Sequence, residues 1–310
     1  MFAGHHPGAP AISLVVPDCD DTDGLQPFLE AFASQTVPAA QFELILAGPS
    51  ASVWAESCRA HSERSLEAQV VEADAADVTS ARNAAIGAAR APLLALYSAG
   101  SLPHAGLLEH CMSFHASHPS NNQVCLLGVE ADPAFERLYP RPARKGAQSW
   151  QAFRGHAVTC KTELFQHGRF NPRYGLLDGP ELGLRLSRRA DLTLFYDAIS
   201  TGARWAPLPK LAACEGHYLA GYYEYRLACA YPGVASCTEP ERIESRDEFE
   251  KMVTTIRSLN KKPAEPGSSR SKMIAALYAR IEEHMRAEGW IASREGRAPE
   301  PPGDLVNSIE

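Results

Sequence analysis

Short apolar runs, each closed by small or turn-forming residues and separated by amphipathic stretches, limit what this chain can fold into more than any other feature. Residues 11–17 read AISLVVP, 42–47 FELILA and 93–97 LLALY. Apolar runs this short, without polar alternation, are expected of strands buried on both faces. Between them, residues 25–34 carry helical spacing, and 51–61 predict a second helix. Residues 79–90, rich in Ala and capped by Thr79 or Ser80, predict a third. A short strand at 68–72 completes the series. Strands alternating with helices at this pace build βαβ units. The expected class is therefore α/β, an open sheet covered by helices, with its ligand site outside the carboxyl ends of the strands.

Beyond Pro119 the segments become shorter and less regular. Strands are expected at 123–129 and 192–196, a Pro- and Arg-rich loop at 133–145, and a helix at 182–189. Residues 155–159 lead into a further helix near Thr162. These add mixed strands and loops. Residues 260–272, NKKPAEPGSSRSK, have the composition of a linker, because Pro, Gly, Ser and charges bury too little apolar surface to offset ordering entropy. After it, 273–288 form a helix whose Ile274, Leu277, Ile281 and Met285 recur three or four apart, a stripe that docks on the domain or on a partner. From Arg294 on, the composition reads as disorder. The expected organisation is one domain over 1–259, a linker at 260–272, and a helix with a disordered tail over 273–310.

With 310 residues, 45% of them hydrophobic, the chain can bury a large core. A net charge of -7 argues against coating nucleic acid, which needs clustered Lys and Arg. The eight cysteines are scattered and form no C-x-x-C pair, so reduced, mostly buried thiols are expected rather than a zinc ribbon or a disulfide scaffold. The opening MFAGHHPGAP lacks the cationic start and apolar core of a signal peptide, and no apolar stretch reaches the roughly 20 residues that span a bilayer. A cytoplasmic protein without a membrane span is expected. Neither G-x-G-x-x-G after the first strand nor G-x-x-x-x-G-K-[ST] is present, so a Rossmann dinucleotide site and a P-loop are not indicated.

Three segments together resemble a known family. They are ISLVVPDCDDTDGLQPFLEAFASQTVPAAQFELILAGPS (12–50), SARNAAIGAARAPLLALYSAGSLPHAGLLEHCMSFHASHP (80–119) and FRGHAVTCKTELFQHGRFNPRYGLLDGPELGLRLSRR (153–189). In this order, over roughly the first 220 residues, the chain resembles the inverting family 2 glycosyltransferases of GT-A fold. The resemblance implies an open mixed sheet with a Rossmann-like nucleotide-binding half. It also implies transfer of a sugar from a nucleotide-sugar donor to an acceptor hydroxyl, with inversion.

The departures from the family pattern fall on the residues that carry chemistry. Where the family has Asp-x-Asp holding a divalent cation against the diphosphate, this chain has Ser98-Ala99-Gly100 followed by Ser101. Hard cations favour charged oxygen ligands, and two hydroxyls are poor substitutes. No metal site and no cofactor are implied; manganese or magnesium is allowed by the chemistry but unsupported by the motif. Where the family has Asp-Asp-Gly-Ser, the chain has Ala47-Gly48-Pro49-Ser50, and Asp178-Gly179-Pro180-Glu181 stands at the catalytic-base position.

In the resemblance, Asp178 is the first candidate for the base and Glu181 the second, with Glu181 equally readable as an acid stabilising a helix N-terminus. Donor contacts are implied at Pro17, Asp18, Asp20, Arg82, Ser98, Gly100 and His217. Arg82 would fork onto phosphate oxygens, and Lys161, Arg169, Arg173 and Arg185 are further cations that could do so. His217 could meet the diphosphate as a neutral or cationic partner. The acidic cluster Asp18, Asp20, Asp21 and Asp23 could hydrogen-bond a base or ribose, or simply cap a turn. His110, His115 and His118 share one predicted helix, more in keeping with a surface face than with a metal pair. Tyr222, Tyr223, Tyr225, Tyr231 and Trp205 could stack on a sugar, although aromatics in such number more often fill cores. Two functions stay open. One is an inverting transferase working without the usual Asp-x-Asp metal site; the other is a catalytically inactive module of the same fold that binds a sugar nucleotide, a glycan or a protein partner.

Overall fold

The computed structural model describes residues 9–19, 25–60, 68–71, 77–130, 146–203, 210–233, 245–261, 265 and 267–301. Asp20, Asp21, Asp23, Trp205 and the loop 133–145 lie outside them. The chain falls into two compact units. The first comprises Met1–Asp132, Pro140–Arg173 and Asp178–Pro207; the second comprises Pro133–Tyr139, Tyr174–Leu177 and Leu208–Glu310. The sequence alone placed its boundary at 260.

The first unit is built on one eight-stranded mixed sheet in the order β3-β2-β1-β4-β7-β5-β8-β6. Its strands are β1 (Ile12–Val16), β2 (Phe42–Ala47), β3 (Ala68–Val71), β4 (Leu93–Leu96), β5 (Gln123–Glu130), β6 (Gly146–Gln148), β7 (Val158–Lys161) and β8 (Thr193–Ala203). The first four strands pair in parallel. β7 then runs antiparallel between β4 and β5, setting Leu93 opposite Lys161 and Leu96 opposite Val158. The α/β mixed-sheet expectation is met. The helix expected near Thr162 is instead a 3-10 turn, Thr162–Gln166.

Helices α1 (Leu25–Ala33), α2 (Ala51–Ala60), α3 (Val78–Ala88), α4 (Leu107–Ser117) and α5 (Asp178–Ala190) belong to this unit. Alternate residues of each central strand enter different cores. Ile12, Leu14 and Val16 pack with Phe28, Phe32 and Trp54 on one face, whereas Val15 packs with Ala81, Ala85 and Leu182 on the other. A sheet covered on both sides has no place for polar alternation, hence the uninterrupted apolar runs. Ser13 and Glu43 are the buried polar residues on these runs. The Ser13 hydroxyl donates to Glu43 Oε1 at 2.6 Å, and the Arg90 N–H donates to the same oxygen at 2.7 Å.

The cap of α3 departs from the expectation. Asp77, one turn-edge earlier than Thr79 or Ser80, accepts the N–H groups of both at 3.0 and 3.2 Å. A carboxylate at the N-cap satisfies two orphan donors where a hydroxyl satisfies one, and this leaves Thr79 free to face inward. The histidines of α4 are not a surface face either. His115 is fully buried against the Thr159 hydroxyl, His118 stacks on Phe114 with ring centroids 4.1 Å apart, and His110 Nε2 lies 3.4 Å from Asp197.

The second unit contains α6 (Lys210–Ala230), α7 (Arg246–Asn260) and α8 (Ser269–Arg294). α7 starts with a capping box in which Ser245 and Glu248 bond each other's backbone. α8 begins four residues before the expected helix and ends six after it, capped by Ser268. The predicted stripe docks within the chain: Ile281 and Met285 are buried with Tyr218, Tyr222, Phe249 and Met252. Among the described residues no helix is long and apolar enough to cross a membrane.

Candidate active site

In the parallel half of the sheet, successive strands step outward from β1 to β2 and β3, and then β4 adds on the opposite side of β1. Strand order reverses between β1 and β4, which opens a crevice at their carboxyl ends. Two loops meet there. Buried Pro17 and half-buried Asp18 follow β1; Ser98, Ala99 and Gly100 follow β4 and the buried Tyr97. Asp18 Oδ2 accepts the Ser98 hydroxyl at 2.6 Å, and its Oδ1 accepts the Ala99 N–H at 2.8 Å. Ser98 Oγ then accepts the Gly100 N–H at 3.3 Å. Asp18 thus clasps the β4 loop.

The loop after β2 is laced to the same place. Cys19 N–H donates to the Ala47 carbonyl at 3.1 Å, and Ser50 N–H donates to the Cys19 carbonyl at 2.8 Å. Gly48 makes this approach feasible, with φ of 123° and no side chain. A Cβ there would lie 2.8 Å from Cys19 N.

A buried charge pair lies at the start of α3 and α5. Thr79 and Arg82, three residues apart and so on one helix face, both reach Asp178 at the head of α5. The Thr79 hydroxyl and Arg82 Nη1 each donate to Asp178 Oδ2 at 2.7 Å. Asp178 is 4% exposed and Arg82 8%, so the pair is shielded from solvent. Backbone without side chains makes room for the guanidinium. A Cβ on Gly155 would fall 2.4 Å from Arg82 Cζ; Gly179 instead lets α5 approach the 153–155 backbone, where its Cβ would fall 2.9 Å from the Phe153 carbonyl. The other side of the guanidinium lies over Phe170, 4.6 Å from its ring centre. Asn83 holds Phe170 in turn, donating to its carbonyl at 2.8 Å and accepting its N–H at 3.0 Å.

Burial raises the Asp178 carboxyl above its ordinary pKa, and the Arg82 charge and the Thr79 hydrogen bond offset only part of that. Glu181 sits one turn further on and is 1% exposed. It accepts a two-pronged Arg185 fork, Nε to Oε1 at 2.7 Å and Nη2 to Oε2 at 2.9 Å. Arg185 Nη2 also bonds the Arg169 carbonyl. These two acids, three positions apart, are therefore held by different cations.

The other expected site residues are distributed as follows. Lys161 pairs with Leu93 at the amino end of β4, the opposite edge from Ser98. His217 is in the second unit, on α6, with Nε2 3.7 Å from Glu282 of α8. Tyr222 is in the core of that unit and its hydroxyl donates to the Arg297 carbonyl at 3.0 Å. Asp20 lies outside the described residues. The rim at Ser98 fits a divalent cation poorly, since it offers two hydroxyls, Ser98 and the buried Ser101, and its nearby carboxylate, Asp18, already accepts two donors. Among the described residues no group of three or more His, Cys, Asp or Glu could hold a metal ion.

Gly155, Phe170 and Asn83 were not singled out in the sequence, and Thr79 was read there only as a helix cap. The one local signal was the i, i+3 spacing of Thr79 and Arg82 in VTSARN.

The chain has a GT-A-like glycosyltransferase fold. It aligns with the mannosyltransferase PcManGT from Pyrobaculum calidifontis in complex with GDP-Man and Mn2+, at TM-score 0.61 and 13% identity over 94% of this chain and 88% of that one. It aligns with residues 1–349 of TarS from S. aureus at TM-score 0.52 and 12% identity, over 92% of each chain. A third match is glucosyl-3-phosphoglycerate synthase from Mycobacterium tuberculosis in complex with phosphoglyceric acid, at TM-score 0.50 and 14% identity over 76% and 88%. No family model matches the sequence, and no curated protein does. Identities this low establish a shared fold, while activity belongs to the site.

Proposed function

We propose that the chain transfers a sugar from a nucleotide-sugar donor to an acceptor hydroxyl with inversion, with Asp178 as the base and without an Asp-x-Asp-bound cation. The observation that carries this is the buried Asp178 carboxylate, raised in pKa by its burial, at the head of α5 beside the N-terminal turn of α3. A base works best when its pKa approaches the operating pH, and burial moves a carboxyl in that direction. The acceptor oxygen would attack the anomeric carbon while its proton passes to Asp178, and the bond to the departing diphosphate breaks on the opposite face. Similar folds bind such a donor or its nucleotide: PcManGT is in complex with GDP-Man, and TarS with UDP.

Pro17, Asp18, Ser98 and Gly100 would form the donor side at the β1–β4 crevice. In this proposal Asp18 fixes the loop rather than the nucleotide. Arg82 is the cation assigned to the diphosphate: by exchanging its bond to Asp178 for phosphate oxygens it would neutralise the leaving group and release the base together. Glu181, closed by the Arg185 fork, is assigned a structural role, and His217 is retained only as a candidate in the second unit.

The Arg82–Asp178 ion pair also favours the non-catalytic alternative, since a carboxylate held by a guanidinium is a weaker base. Calorimetric titration of UDP-GlcNAc and GDP-Man, with manganese and with EDTA, separates the two. Transfer or donor hydrolysis that survives EDTA supports the enzyme. Asp178→Asn should then lower the rate about 100-fold or more with donor affinity retained, and Glu181→Gln should leave most of the rate. Donor binding with no turnover in any condition supports the module. No binding of either donor counts against the enzyme and leaves the module a glycan or a protein partner to bind.

A further inference from the structure

A cleft of about 810 Å³ opens at the amino end of β4, the edge of the sheet opposite the β1–β4 crevice. Leu93 to Ser98 spans about 17 Å at the usual strand rise, so the cleft is separate from the rim at Ser98. Its apolar lining comes from the exposed Pro92 and Pro119 and from atoms of the largely buried Ile86, near the end of α3, and Leu93. Its charged lining comes from Lys161, Glu163 and Arg169, on β7 and the segment after it. The lining mixes polar and apolar groups, and the volume falls in the range of small-molecule sites.

The charges indicate what it would take. Lys161 is 8% exposed, and its ammonium donates to the Pro119 carbonyl and, at 3.5 Å, to that of His118. Two carbonyls leave one of the three ammonium N–H groups to serve a ligand. Arg169 is exposed, with its guanidinium 5.7 Å from the Phe165 ring centre. Glu163 accepts the Asn121 amide at 2.6 Å. His115 lines the cleft as a neutral imidazole, since burial pushes its pKa down to about 4. Two cations against one carboxylate leave the lining net positive. Burial makes the Lys161 ammonium costly to hold, and a bound anion would offset that cost.

We infer that this cleft is a second ligand site, for a small organic anion whose apolar part lies against Pro92 and Pro119 and whose carboxylate or phosphate group is reached by Lys161 and Arg169. This stands whether or not the chain transfers sugar.

The probe is 8-anilinonaphthalene-1-sulfonate, an apolar monoanion, titrated by fluorescence against the full chain. Saturable one-site binding is expected. Arg169→Gln, an exposed change that leaves the core intact, should weaken it about fivefold, and Lys161→Gln about tenfold, if that variant folds by circular dichroism. Glu163→Gln should tighten it two- to threefold by removing the opposing charge. Equal dissociation constants in Arg169→Gln, Glu163→Gln and the natural chain overturn the inference.

Discussion

At the scale of single residues, burial sets the chemistry, and it acts with opposite sign on an acid and a base. The His115 imidazole is pushed from the usual 6.5 to about 4, first by burial and then by the nearby Lys161 charge. Below pH 6.5 the unfolded imidazole takes up a proton that the folded one refuses until about pH 4. Stability from this group is therefore complete above 6.5 and drains away as pH falls through that window. At about 1.4 kcal/mol per pH unit, the loss is on the order of 3 kcal/mol. Urea midpoints at pH 7 and pH 4.5 should converge in His115→Gln relative to the natural chain, with an unchanged difference counting against it. Asp178 runs the other way: its folded pKa is raised, so its ionisation costs stability as pH rises through that value. His115 was legible in the sequence only as a helical histidine, because nothing local says which face of α4 the sheet will cover.

At the scale of elements, the α6–α8 crossing depends on two glycines. A Cβ on Gly221 would lie 1.9 Å from the Arg286 carbonyl, and one on Gly289 would lie 1.9 Å from that of Tyr218. Neither neighbour can yield, because each is backbone within a helix. Gly289→Ala should lower stability by about 3 kcal/mol or more, the upper end of overpacking costs. Hydrogen exchange should locate the loss in α6 and α8. Gly87→Ala in α3 is the control, since its Cβ would meet nothing within 4 Å. It should gain up to about 1 kcal/mol from helix propensity. The stripe Ile274, Leu277, Ile281 and Met285 identified α8 in advance, because amphipathic spacing is a local property. The shorter α7 was missed, although its Ser245–Glu248 capping box is a sequence signature.

At the scale of the molecule, six cysteines at separate places in the chain are buried: Cys19, Cys58, Cys111, Cys125, Cys160 and Cys214. Burial pushes Cys58 up to about 11 and Cys111 and Cys160 up to about 12, so few thiolates exist at neutral pH. Cys229 is exposed. In native buffer a thiol reagent such as DTNB should label Cys229 at once and leave these six unreacted, and all six should appear together with urea-induced loss of structure. Early labelling of any of the six would identify local opening of its core. The sequence had indicated reduced, buried thiols from their scattered spacing, which the seven described cysteines bear out as free thiols, Cys229 being the exposed one.

The sheet's parallel half and its crossover helices are legible in the amino-acid order, because period and run length are written in neighbouring residues and burial on two faces demands uninterrupted apolar strands. That order also placed the small-residue rim at Ser98 on a strand end. The tertiary structure alone decided which groups meet there. Asp18 reaches Ser98 across 80 positions of chain, and Asp178 meets Arg82 across 96 and Thr79 across 99. Contacts at such separations follow from strand order and helix packing. The same carboxylates can therefore clasp a loop, pair with a buried arginine, or stand ready as a base, according to the neighbours that packing brings to them.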